Sequence, residues 1–213
     1  FKAQIDALVA EGMEQEEALY KVLKETIIAS KNIRFEGDGY SEEWKEEAAR
    51  RGLTNICHVP EAIMRFNDPQ SRAVLIGENV FNENELMCRI EVELEKFTKK
   101  VQIESRILGD LAINHIIPTA VTYQNRLLEN LRGLRETFSP EEYEILGADR
   151  KELSKEIQYH ILDIKRMVRE MIEARHIANR KPSQEEKADG YEECVRPYME
   201  KIREHIDGLE LEI

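Results

Sequence analysis

The sequence is short of cysteine, proline, glycine and aromatic residues. Its three cysteines, Cys57, Cys88 and Cys194, lie far apart, are odd in number and form no CxxC pair. They read as reduced thiols and argue against a disulfide framework. Six prolines and ten glycines in 213 residues leave little turn material, and aromatics make up 7%. That scarcity suits long helices better than a β-sandwich. No apolar run approaches the ~20 residues that span a bilayer. The opening Phe1-Lys2-Ala3-Gln4 has neither the charged nor the apolar region of a signal peptide. It starts within a helical pattern, as a piece of a longer protein would.

Charge of both signs is abundant. Charged residues make up 35% and hydrophobic residues 41%, with a formal net charge of −12. The average field repels nucleic acid and anionic membrane, and the short basic pairs Lys99-Lys100 and Arg180-Lys181 read as surface charge. Neither nucleic acid nor a membrane is expected as a partner.

The patterning predicts an all-α protein: long antiparallel helices forming a bundle, behind an irregular helical N-terminal segment. Residues 1–81 make up that segment. Ile5, Leu8 and Val9, then Ala18, Leu19, Val22, Leu23 and Ile27, follow a 3.6-residue period with Gly12 between two helices. Ile33 to Phe35 reads as extended, Glu36 to Tyr40 as a turn, and Ser41 as the cap of a helix carrying Trp44. Phe35, Tyr40 and Trp44 read as a local packing anchor. Val74-Leu75-Ile76 fits a short strand or a helical turn.

Residues 82–213 make up the bundle. Asn82 or Asn84 caps a helix with its stripe at Leu86, Ile90, Leu94, Phe97, Val101, Leu108 and Leu111. The pattern continues past Pro118 to Phe138, as one kinked helix or as two meeting at the proline. Ser139-Pro140-Glu141-Glu142 and Ser183-Gln184-Glu185-Glu186 are capping boxes opening further helices. Pro197 is expected to bend or split the last one. Short connections make neighbouring helices antiparallel.

No complete active site emerges. A di-iron bundle needs paired Glu-x-x-His motifs, and Glu173 with His176 is the single pair. Adjacent Cys57 and His58 are poorly spaced to chelate one zinc. There is no Gly-x-Ser-x-Gly elbow. Gly37-Asp38-Gly39 lacks phosphate-loop spacing, and Asp38 would oppose a phosphate, so that stretch reads as a turn with an N-cap. His115 reads as a core histidine near the carbonyl that Pro118 frees.

Ile33 through Trp44, with Glu47 through Leu53 behind it, resembles a segment of type III glutamine synthetases. Gly37-Asp38-Gly39-Tyr40-Ser41-Glu42-Glu43-Trp44 is its most specific run. Glu104 through Leu111, Ile117-Pro118-Thr119-Ala120 and Tyr123-Gln124-Asn125 agree in order and spacing with the family's C-terminal region. The resemblance covers essentially the whole chain. It implies a bacterial, cytoplasmic, dodecameric enzyme that joins glutamate and ammonia with ATP hydrolysis, through a γ-glutamyl phosphate and divalent Mg or Mn. It places the catalytic domain before Phe1. No catalytic, cofactor-binding or metal residue of that domain has a counterpart here. The expected role is therefore non-catalytic: packing against the catalytic domain and supporting contacts between subunits of a homo-oligomer. Met87, Val92, Ile103 and Leu128, off the main stripe, offer a second face for such contacts. The alternative is a free-standing bundle binding a metal or a regulatory small molecule in its core, with Glu173 and His176 as its support.

Overall fold

The computed structural model describes residues 1–212, in two compact units, Phe1–Cys57 and His58–Ile213. Among the described residues the structure is helical and contains no strand.

In the first unit, α1 (Lys2–Ala10) and α2 (Gln15–Ala29) are followed by a 3-10 turn at Lys31–Ile33 and by α3 (Glu42–Arg50). Two glycines end helices by one device. Gly12 has φ +98° and Gly52 φ +70°. In each case the residue after the glycine bonds a carbonyl five back: Met13 N–H to Leu8 and Leu53 N–H to Ala48. This is the Schellman closure, which requires the left-handed conformation that glycine tolerates. The Asp38 side chain accepts from the Tyr40 N–H at 2.9 Å, and the Ser41 hydroxyl accepts from the Trp44 N–H at 3.3 Å. Phe35 and Trp44 pack with ring centroids 4.7 Å apart. Arg51 closes the turn by donating to the carbonyl of Asn32 at 3.1 Å and to that of Arg34. Side-chain bonds from Arg50 and Arg51 hold the Glu47 carboxyl down to about 2. Tyr40 is 97% exposed, so the anchor is Phe35 and Trp44 without it. The buried apolar residues of this unit are Ala18, Val22 and Ala48.

The second unit begins with α4 (Val59–Met64), a 3-10 turn at Arg65–Asn67 and α5 (Pro69–Gly77). Val74-Leu75-Ile76 is thus helical, and α5 closes on Asn79 at φ 55°. Ile63, Met64, Leu75, Ile76 and Phe81 pack on Leu86, Ile90 and Leu94. That packing joins residues 59–81 to the bundle.

Three long helical runs make the bundle. The first is α6 (Glu83–Leu111), a π-turn at Ala112–Ile116 and α7 (Ile117–Thr137), without a break. After α8 (Pro140–Leu146) comes α9 (Ala148–Asn179). The third run is α10 (Gln184–Gly190), a π-turn at Tyr191–Val195 and α11 (Arg196–Glu212). α9 runs antiparallel to the first: Gln124 bonds the Ser154 carbonyl at 2.9 Å and Gln102 meets Asn179 at 3.4 Å. It is also antiparallel to the third, pairing His160 with His205 and Asn179 with Tyr191. Ile157, Ile161, Ile164 and Met171 of α9 are buried against Val195, Ile202, Ile206 and Leu209.

Pro197 neither splits its helix nor ends it. Both interior prolines follow a π-turn in the same register. The residue before Pro118, Ile117, bonds the carbonyl of Ala112, and the residue before Pro197, Arg196, bonds that of Tyr191. Proline lacks an N–H and crowds the carbonyl four residues back. The wider i→i+5 turn moves that carbonyl aside while bonding continues. The turn also shifts the stripe: Ala112 and Ile117, five apart, are both buried, whereas Leu111 is exposed.

Candidate functional site

Glu173 and His176 are both exposed on α9 and do not point into the bundle core. Among the described residues no group of three or more His, Cys, Asp or Glu side chains is placed to hold a metal ion. His115 is exposed as well, and the carbonyl of residue 115 accepts from the Thr119 hydroxyl at 2.9 Å. His58 is drawn elsewhere: its Nδ1 lies 3.2 Å from Oε1 of Glu192. Glu192 sits in the second π-turn, buried, and accepts from Arg196 at 2.9 and 3.0 Å. This ties the start of α4 to the third helical run.

Of three further features, the first two join residues far apart in the chain and so had no local sequence signal. Nδ1 of His160 lies 2.9 Å from Nδ1 of His205, so one ring donates and the other accepts. Oε1 of Glu212 is 3.7 Å from His160 Nε2. A groove of about 980 Å³ runs between α9 and the third run, with apolar lining from Ile172, Ala178, Pro197 and Tyr198 and charge from Arg169, Glu173, Lys181 and Glu193. The third feature is a set of unpartnered apolar faces. On α2, Leu19, Leu23 and Ile27 form one row at four-residue spacing, flanked by Tyr20 (68% exposed) and Ile28 (62%). On the outer side of α6, Ile103, Ile107 and Leu111 form a second exposed row, and Met87, Val92 and Leu128 are exposed too.

These faces present apolar surface to the surroundings of the molecule. The sequence model of one family, the glutamine synthetase C-terminal domain, matches residues 18–135. The chain belongs to that family. The match runs from α2 into α7, so it takes in the exposed row of α2, the Gly37–Trp44 turn and the first π-turn. Relatives named glutamine synthetase extend the likeness. One from Bacteroides fragilis is 68% identical over 213 residues, all of this chain and 29% of that protein. One from Butyrivibrio fibrisolvens is 32% identical over 120 residues, 56% of this chain and 17% of the relative. A protein of Dictyostelium discoideum named type-3 glutamine synthetase is 32% identical over 117 residues, 55% of this chain and 16% of its own length. The chain thus spans under a third of the relatives it matches. Among the described residues no helix is long and apolar enough to cross a membrane.

Proposed function

We propose that this chain is the C-terminal helical domain of a type III glutamine synthetase, an enzyme that ligates ammonia to glutamate at the expense of ATP. Its own role is structural. ATP and Mg or Mn belong to a catalytic domain elsewhere in the full-length protein, and the helical domain takes no cofactor for that reaction. Its partners are that catalytic domain and the neighbouring subunits of a homo-oligomer. The setting is the cytoplasm, with neither nucleic acid nor membrane as partner.

The observation that carries this reading is the exposed apolar row of α2, on a unit whose buried apolar residues are Ala18, Val22 and Ala48. Apolar surface held in water costs roughly 25 cal/mol per Å² relative to burial. A helix that leaves Leu19, Tyr20, Leu23, Ile27 and Ile28 uncovered is built to meet another surface. The outer row of α6 suits contact between subunits in the same way. The test is calorimetric titration of the chain with ATP and Mg²⁺ beside an assay of glutamine formation. Neither binding nor product is expected, and glutamine formation by the chain alone would overturn the non-catalytic role.

A further inference from the structure

The buried Glu192 carboxylate is paired, lying between Arg196 and His58. Arg175 has no such partner among the described residues. It is half-buried on the side of α9 that meets α6, and its Nε is sealed from solvent with no hydrogen-bond partner. Burial pushes its guanidinium below the usual arginine range, and the nearby positive charge of Arg106 pushes the same way. Among the described residues neither arginine makes an ion pair with a carboxylate within 4.0 Å.

The helix register places the two face to face. Gln102 of α6 meets Asn179 of α9 at 3.4 Å. Two turns further along α6, a Cβ on Gly109 would lie 3.5 Å from Met171 and from Val168. Arg106 and Arg175 occupy the turn between these crossing points. Beside them, Asn179 Oδ1 accepts from both Gln102 and the Tyr191 hydroxyl, the latter at 3.0 Å, which leaves the Asn179 amide nitrogen as a donor. The chain has 43 carboxylate residues against 31 arginines and lysines, so two uncompensated arginines are not a by-product of general basicity.

We propose that Arg106 and Arg175 form a binding site for a small oxyanion, a phosphate- or carboxylate-bearing metabolite, held across the α6–α9 seam. The guanidinium fork matches such groups bidentately. A bound anion would accept from the guanidinium nitrogens other than the sealed Nε of Arg175 and cancel the repulsion between the two cations. Exposed Arg106 gives the ligand an entrance from solvent. This inference is independent of the proposed role in glutamine synthetase.

The test is titration of the 213-residue chain with inorganic phosphate and, separately, acetate, at constant ionic strength in chloride, with Tm read in the same buffers. Saturable one-to-one binding and an anion-dependent rise in Tm are expected, and the tighter of the two anions names the ligand class. Arg106→Ala and Arg175→Lys should each weaken binding by about tenfold or more, the loss of one charge-assisted hydrogen bond. In anion-free buffer Arg106→Ala should melt no lower than wild type, because it removes a like charge beside Arg175. If Arg175→Lys fails to fold, Arg106→Ala at its exposed position decides alone. No saturable binding of either anion, binding unchanged by Arg106→Ala, or a lower Tm of Arg106→Ala without anion would each overturn the site.

Discussion

Asp189 shows how a single side chain sets the pH response of the bundle. Burial pushes its carboxyl up, Glu193 adds in the same direction, and Lys181 opposes both. A carboxyl raised by folding binds its proton more tightly in the native state than in the unfolded chain. Its charged form therefore subtracts stability above the native pKa, and the deficit vanishes as pH falls below the ordinary carboxylate range. Asp189→Asn should raise Tm at pH 7 and leave it unchanged near pH 3. Thermal melts at the two pH values check this, and an equal gain at both would contradict it. Gly109 offers a second residue-scale test. It is helical, and a Cβ there would meet Met171 and Val168 at ordinary contact distance, 3.5 Å. Gly109→Ala should stabilise by up to about 1 kcal/mol through helix propensity. Gly109→Leu should lose about 1–3 kcal/mol through overpacking. Urea denaturation of both variants reads the two signs.

Helix ends and helix interiors were legible in the sequence to different degrees. Caps depend on neighbours in the chain. Asn82 accepts from Glu85 N–H at 2.9 Å while Glu85 returns a bond to the Asn82 N–H at 2.8 Å, and Ser139 and Glu142 make the same box. Asn82→Ala should cost about 1 kcal/mol, read as a lower urea midpoint with an unchanged slope. Ser183 keeps only half of its box: it caps Glu186 N–H, but its hydroxyl and not its backbone meets the Glu186 carboxylate. Helix phase beyond a proline was less legible. A 3.6-residue period carried through Pro118 puts Leu111 inward, whereas the π-turn brings in Ala112 and Ile117. The five-residue step ahead of a proline was the available signal. Tyr40 and His115 face solvent for a simpler reason, since sequence proximity to a packed residue does not fix which side of a turn or helix a side chain occupies. The His160–His205 and Arg106–Arg175 pairs arise only from antiparallel register between distant helices, which no local pattern encodes.

At the scale of the whole molecule, the two units differ in how much they bury. His58–Ile213 has a continuous core drawn from all three helical runs, including Tyr191, Ile157, Ile164, Met171 and Ile202 at 0% exposure. Phe1–Cys57 has a thin core and a helix, α2, whose apolar row stays in water. Stability in such a unit comes from what covers it, and local opening is expected where apolar contacts are few. That contrast follows from the proposal that the family's catalytic domain and neighbouring subunits complete the structure. Amide hydrogen exchange measured on this chain and on the full-length enzyme tests it most directly. The amides of α2 (Gln15–Ala29) should exchange at least about tenfold more slowly in the full-length enzyme, while those of α9 change little. Equal α2 exchange in the two proteins would contradict a covered face, and with it the structural role assigned to this domain.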